Sequence, residues 1–322
     1  MSRHGLRSYL VIVVALVALT QLSWGCGDPA GPVKGELALK HAREILAFGP
    51  RPPGSPAIRN VAEYIGQRIR SLGLEPKTDR WTDPAEKIEF ENVWVEIPGR
   101  GPADGPVLLL AAHYDSKLCQ GHTDDPAHNF EFVGALDSAG ACGLLLELAR
   151  VLKKRENAPN IWIAWFDGEE SIPFVWDPEP EKTRALFGSK RFAEKHAARI
   201  KAMVLFDLIG AADMKIDRDL KSNPDLLQIF AKAAETLGES DRVFRFESPM
   251  TDDHIPFQDR SVKVIDLIDY THRDPNHPKH DDYAQWWHSP ADTADKLSAD
   301  SLALAGNLLW VALPAIEAKF FK

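Results

Sequence analysis

Cysteine is scarce in this chain: three residues in 322, at Cys26, Cys119 and Cys142. That number excludes a scaffold built on disulfides. Cations are in the minority, with 38 Lys and Arg against 47 Asp and Glu for a formal charge of -9, and no basic tract collects them. Such a balance speaks against nucleic-acid binding. No internal repeat is visible, which removes solenoids and propellers. The compact H-E-x-x-H helical zinc motif is missing too, so any metal ligands must come from distant parts of the chain.

What is present begins with an export-type leader. Arg3, His4 and Arg7 precede an apolar run from Tyr9 to Leu22, which is about the length of a signal-peptide core and short for a membrane span. Ser23 and Gly25 suit cleavage, giving a signal peptide over 1–25. Cys26 directly after Gly25 resembles a bacterial lipoprotein junction, although Trp24 is awkward inside one. Lipidation of Cys26, plain secretion and an uncleaved anchor all leave the domain outside the cytoplasm, in the periplasm or cell envelope. Membrane attachment would run through a lipidated Cys26 or the uncleaved segment. With Cys26 set aside, Cys119 and Cys142 form an even pair in a disulfide-permitting compartment. They read first as a bridge, with two buried thiols as the near alternative.

Residues 26–35 read as a linker, and the remainder, 36–322, as one domain. Helical spacing predicts helices over Glu36 to Phe48, from Ser55 as cap to Gly73 as stop, over Gly143 to Lys153, Phe187 to Arg199 and Leu226 to Leu237, and from Ala299 to Phe321. Strands are expected at Asn92 to Ile97, Val107 to His113, Ile161 to Phe166, Met203 to Ile209 and Val262 to Ile268. Two of these (VLLLAAH and IWIAWF) are unbroken apolar runs, as for strands covered on both faces. Alternating strands and helices imply an α/β three-layer sandwich around a central, mostly parallel twisted sheet.

Ligands in such sheets bind beyond the carboxyl ends of the strands. Here those ends carry His113-Tyr114-Asp115, Asp167-Gly168-Glu169-Glu170 and Asp207. The adjacent Glu169 and Glu170 repel each other. A cation on one and a free partner able to move protons would explain the pair, and an exposed acidic turn would explain it as well. Zinc favours imidazole and carboxylate donors, and Asp137, Glu170 and His288 are candidates of that kind.

Several segments resemble the glutaminyl cyclases, zinc enzymes on the fold of the M28 aminopeptidases: F-G-P-R-P-P-G-S-P (48–56), H-Y-D-S-K (113–117), G-A-L-D-S-A (134–139), F-D-G-E-E (166–170), L-F-G-S-K-R (186–191), F-D-L-I-G-A (206–211), D-D-H-I-P-F (252–257) and W-H (287–288). The resemblance runs from about residue 36 to the C-terminus. It implies one zinc ion per chain on Asp137, Glu170 and His288, and Glu169 as proton shuttle. Asp207 would hydrogen-bond to Glu169 and raise its pKa, and Asp252 would hold the substrate amide or the departing ammonia. Trp176 and Trp287 would wall the pocket. The implied substrates are peptides or proteins with N-terminal glutamine, converted to pyroglutamate.

The chain departs from the animal members in three places. Asp266 stands where they carry a His, so Asp252 and Asp266 are expected to share a proton. The 270–285 loop is long and holds His272, His277 and His280, read as a solvated loop over the pocket. Ala112 replaces a family cysteine, leaving Cys119 as a substitute. The rival reading is an M28 aminopeptidase with two zinc ions on His113, Asp115, Asp137, Glu170, Asp207 and His288, Glu169 activating a bridging water. A third is an inactive binding protein on the same scaffold, against which the intact Glu169 argues.

Overall fold

A computed structural model describes residues 31–121, 128–177, 182–270 and 286–322. The leader, Cys26 and the three histidines of the 270–285 loop lie outside the described residues.

Two helices open the chain, α1 (Gly35–Leu46) and α2 (Pro56–Ser71). Ser55 caps α2 by accepting from the Ile58 amide at 3.2 Å, with Pro56 at the first helical position, where a missing N–H costs nothing. The strands β1 (Pro76–Thr82), β2 (Glu89–Ile97), β3 (Val107–His113), β4 (Asn160–Phe166), β5 (Ile200–Asp207) and β8 (Lys263–Ile268) form one sheet in the order β1-β2-β4-β3-β5-β8. From β4 to β8 all pairings are parallel, and β2 joins β4 antiparallel, with β1 antiparallel outside it. A separate parallel pair joins β6 (Ile216–Asp219) to β7 (Val243–Ser248).

The central strands β3 and β4 are buried on both faces, and the period of two sorts their residues. Leu108, Leu110 and Ala112 of β3 join a large core with α1, α2, α3 (Ala141–Leu152), α5 (Pro224–Leu237) and α7 (Ala299–Phe320). Val107, Leu109 and Ala111 face the smaller core, which Phe192 of α4 (Phe187–His196) and Phe257 of α6 (Ile255–Gln258) complete. Close approach of α1 to α3 requires Gly143: a Cβ there would sit 2.3 Å from the Ala38 carbonyl oxygen. α7 is long and apolar enough to cross a membrane by composition, but its buried face is part of the large core.

Cys119 and Cys142 do not pair. Both are buried free thiols, and burial pushes them up to about 12 and about 11. Cys142 Sγ donates to the His113 carbonyl oxygen at 3.0 Å, while Cys119 lies beside Glu170 and Lys117. The bridging alternative is therefore replaced by the two-thiol one.

Candidate active site

Parallel strands β3, β4 and β5 end side by side, so the residues that follow them meet at one edge. His113 closes β3 opposite Phe166 of β4, and Asp207 closes β5 opposite Ile268 of β8. Asp115 fixes the turn after β4: one carboxylate oxygen accepts from the Glu169 amide and the other from the Glu170 amide, each at 3.2 Å. A single side chain thus holds two consecutive peptide groups.

Asp137 comes from a kinked turn, 135–140, ahead of α3, where Asp137 and Ser138 leave the helical backbone conformation. Its amide and that of Leu136 donate to the two oxygens of Asp292, at 3.2 and 2.7 Å. Gly134 starts the turn at φ +56°, where a Cβ would fall 1.9 Å from the Asp137 carbonyl oxygen, so a side chain there has no room. Beneath the turn Arg51 is fully buried. Its guanidinium donates to the carbonyl oxygens of Tyr114 at 2.7 Å, of Gly134 at 2.9 Å and of Val133.

These supports bring the three expected ligands together. Asp137, Glu170 and His288, all buried, have donor atoms within 4.8 Å of one another. His288 Nε2 lies 3.0 Å from Glu170 Oε2 and 3.7 Å from Asp137 Oδ2. The imidazole is boxed by aromatics, with Trp287 stacked on it at 4.1 Å between centroids and Phe132 and Phe174 edge-on at 5.9 and 5.7 Å. Lys117, also buried, places Nζ 3.7 Å from Glu170 Oε2. Burial pushes the Glu170 carboxyl up, but His288 and Lys117 outweigh it and hold it down at about 2. Asp137 goes the other way, raised to about 6 by burial and by the charge of Glu170.

A second trio, His113, Asp137 and Asp207, shares Asp137 with the first. His113 Nε2 lies 3.0 Å from Asp137 Oδ1 and 3.2 Å from Asp207 Oδ1, while Nδ1 is 3.3 Å from Asp115 Oδ1. Burial opposes its charge, yet these three carboxylates raise it well above the ordinary imidazole range.

A cavity of about 270 Å³ opens over this edge. Asp137, Glu169, Glu170, Asp207, Asp252 and His288 supply its polar lining, and Trp176, Leu208, Met250, Tyr270 and Trp287 are among its apolar walls. Glu169 is held well above the usual carboxyl range, first by burial and then by Asp252, Glu170 and Asp253, with His113 opposing. Asp207 has His113 as its hydrogen-bond partner, in place of the expected Glu169, and the carboxylate pressing hardest on Glu169 is Asp252. Asp252 is raised by burial and by Asp207, and Asp266 by burial and by Asp252. Asp266 sits inside β8, not at its end, and is wholly buried.

Sequence reasoning missed the supports. Arg51 and Lys117 lie inside motifs that resemble the family but carry no role there, Asp292 has no distinguishing local pattern, and only the tertiary structure shows the three buried around the site. Tyr270 was left unassigned because of the loop that follows it. Phe132 and Phe174 carry no signal beyond being aromatic.

The chain matches the model of peptidase family M28 over residues 92–313. It is 30% identical to the glutaminyl-peptide cyclotransferase of Drosophila melanogaster, over 88% of this chain and 83% of that protein. Its fold superimposes on an Acidobacteriales bacterium glutaminyl cyclase with a TM-score of 0.78 at 32% identity, covering 90% and 96% of the two chains. A Zn-dependent exopeptidase of Parabacteroides distasonis shares the fold at a TM-score of 0.74 and 24% identity, over 91% of this chain and all of that one.

Proposed function

This chain belongs to the glutaminyl-peptide cyclotransferases within peptidase family M28, and we propose that it closes the N-terminal glutamine of peptides or proteins into pyroglutamate with release of ammonia. The observation that carries the reading is the pairing of a three-donor cluster with a carboxyl, Glu169, that is buried beside it in the same cavity and held well above the usual carboxyl range by that burial. The relatives at 30% and 32% identity are named as cyclotransferases or cyclases and do not favour the hydrolytic alternative.

Asp137, Glu170 and His288 fit a zinc ion. They offer two carboxylates and one imidazole from buried positions, and Glu170 Oε2 has no hydrogen-bond partner among the described residues. One ion per chain is the expected stoichiometry. When bound, zinc would polarise the glutamine side-chain carbonyl and offset charge gathering on its oxygen. The rest falls to the protein. Glu169 takes a proton from the substrate α-amino group, whose nitrogen forms the ring bond to the side-chain carbon. It returns that proton to the amide nitrogen as the carbon–nitrogen bond breaks and ammonia leaves. Asp252 accepts a hydrogen bond from the reacting nitrogen, with Asp266 protonated behind it. Trp176 and Trp287 exclude water, so the substrate's own amine is the nucleophile available. The leader supports export to the cell envelope, free or held at Cys26.

The test is ammonia release from Gln-Ala amide by the purified protein, with Glu169→Gln as control and Ala-Ala amide as hydrolysis probe. We expect ammonia without free alanine, and a loss of about 10²–10⁴-fold in the variant. Free alanine from the second peptide, or an unimpaired Glu169→Gln enzyme, would defeat the reading.

A further inference from the structure

Behind Asp252 and Asp266 lie two buried groups, His254 and Asp219, that the site described above does not use. Asp252, His254 and Asp266 have donor atoms within 4.8 Å of one another. His254 Nδ1 stands 3.7 Å from Asp266 Oδ2, and Nε2 stands 3.4 Å from Asp219 Oδ2. Asp219, His254 and Asp266 are each 0% exposed. Both ring nitrogens of His254, both oxygens of Asp266 and Oδ2 of Asp252 have no hydrogen-bond partner among the described residues. Interior polar atoms are costly in that condition. The gaps around the ring, 3.4 and 3.7 Å, are longer than a hydrogen bond, and a movement of the ring by about half an ångström would let a proton in each satisfy them.

Asp219 is anchored where the others are loose. Its Oδ1 accepts from the amides of Met250 at 2.9 Å and Lys221 at 3.0 Å. Its Oδ2 accepts from Ser222 Oγ at 2.7 Å, and the same Ser222 oxygen accepts from the Asp266 amide at 3.0 Å. One carboxylate on β6 is therefore tied both to the loop leading to Asp252 and to the strand bearing Asp266. The charges around these groups come from every neighbouring element: Asp217 from β6, Lys221 after it, Asp207 from β5, Asp253 beside Asp252, and His113 from β3. Negative charge predominates, so Asp252 and Asp266 cannot both be comfortably ionised.

We propose that Asp219 and His254 are positioning residues for the cyclisation: Asp219 orients the His254 ring, one proton bridges His254 Nδ1 and Asp266, and Asp252 is left to carry the negative charge facing the substrate. The inference rests on the cyclase reading above. It names which of two crowded carboxyls ionises, and why: the imidazole gives Asp266 a partner for its proton, and Asp252 has no such partner.

The experiment is the pH dependence of kcat and kcat/KM for ammonia release from Gln-Ala amide. The zinc-loaded full chain is compared with Asp219→Asn, His254→Gln and the double variant, with metal content measured for each. Removing the buried negative charge of Asp219 favours ionisation of its neighbours. The acid limb should therefore move down by about one pH unit in Asp219→Asn, at unchanged metal content. His254→Gln should lower kcat and leave KM near its original value. The part of the shift that Asp219 exerts through the ring should be lost in the His254→Gln background, leaving a smaller one from its charge alone. A superimposable profile for Asp219→Asn, a uniform loss at every pH, or full additivity of the two changes would overturn the proposal. So would a second metal ion per chain that is lost in Asp266→Asn, since a cation would then fill the gap. Should His254→Gln not fold, the Asp219→Asn profile decides alone. A wild-type protein that releases no ammonia would instead refute the functional reading.

Discussion

Replacing Arg51 by methionine gives a direct measure of what holds the ligand turn. The side chain is 0% exposed, and its guanidinium donates to three carbonyl oxygens, those of Tyr114, Val133 and Gly134. Methionine refills much of the volume but removes the donor from all three carbonyls, of which Gly134 alone keeps a second one, the Ala139 amide at 3.2 Å. Charge-assisted hydrogen bonds are worth roughly 1.5–3 kcal/mol each, which sets an upper range of about 5–9 kcal/mol. Truncating one member of a buried charged network commonly costs about 3–5 kcal/mol, because neighbours relax. The removed cation also balanced Asp115, Asp137 and Asp292. We therefore expect a loss of about 4 kcal/mol. With a urea m-value of about 3 kcal/mol/M, the unfolding midpoint should fall by roughly 1.3 M at unchanged slope. Because the Gly134 carbonyl belongs to the turn that presents Asp137, zinc retention against a chelator should weaken in the same variant under conditions where it remains folded. A midpoint shift below about 0.3 M, equivalent to about 1 kcal/mol by the same slope, would refute the reasoning.

Lys117 donates to the Ser171 carbonyl and hydroxyl and to the Pro173 carbonyl, so Lys117→Met should loosen the segment leading to Trp176. We expect KM to rise about tenfold, which is about 1.4 kcal/mol, with a smaller change in kcat, and steady-state kinetics on Gln-Ala amide checks it. Metal-free protein should lose stability as pH rises. Asp253 and Asp292, both raised to about 7 by burial, hold protons in the folded chain that they release when unfolded near pH 4. Their contribution is fully present below pH 4 and is lost as pH rises through 7. For these groups the urea midpoint should therefore fall between pH 5 and 8, and a rising midpoint would contradict their assignment. Cys119 and Cys142, buried and raised to about 12 and about 11, should resist a thiol reagent at pH 8 until the protein is denatured, and a reductant should leave the urea midpoint unchanged.

The central strands and long helices were legible because burial on both faces leaves an unbroken apolar run and burial on one face leaves a helical stripe. β1 was not, since its sequence PKTDRWT alternates exposed charges with half-buried residues at the edge of the sheet. β6 and β7 are short and charged, and their pairing joins distant segments. The strand expected to reach Ile209 ends at Asp207, where Leu208 turns to φ +47°. Within the site, strand-end position identified His113, Glu169, Glu170 and Asp207, donor type made Asp137 and His288 candidates, and Asp252 entered through motif resemblance. His254 lay inside a quoted motif yet carried no role there. Asp219 and Arg51 acquire theirs only from what the folded chain packs against them.

The grip of Asp115 on the amides of Glu169 and Glu170 couples two duties that chemistry alone would keep apart. Any substitution that tilts this dipeptide displaces the proposed proton carrier and the proposed ion ligand at once. Adaptation toward other substrates is thereby steered away from the β4 turn and into the outer walls, where Trp176, Met250 and Tyr270 can be exchanged without disturbing either.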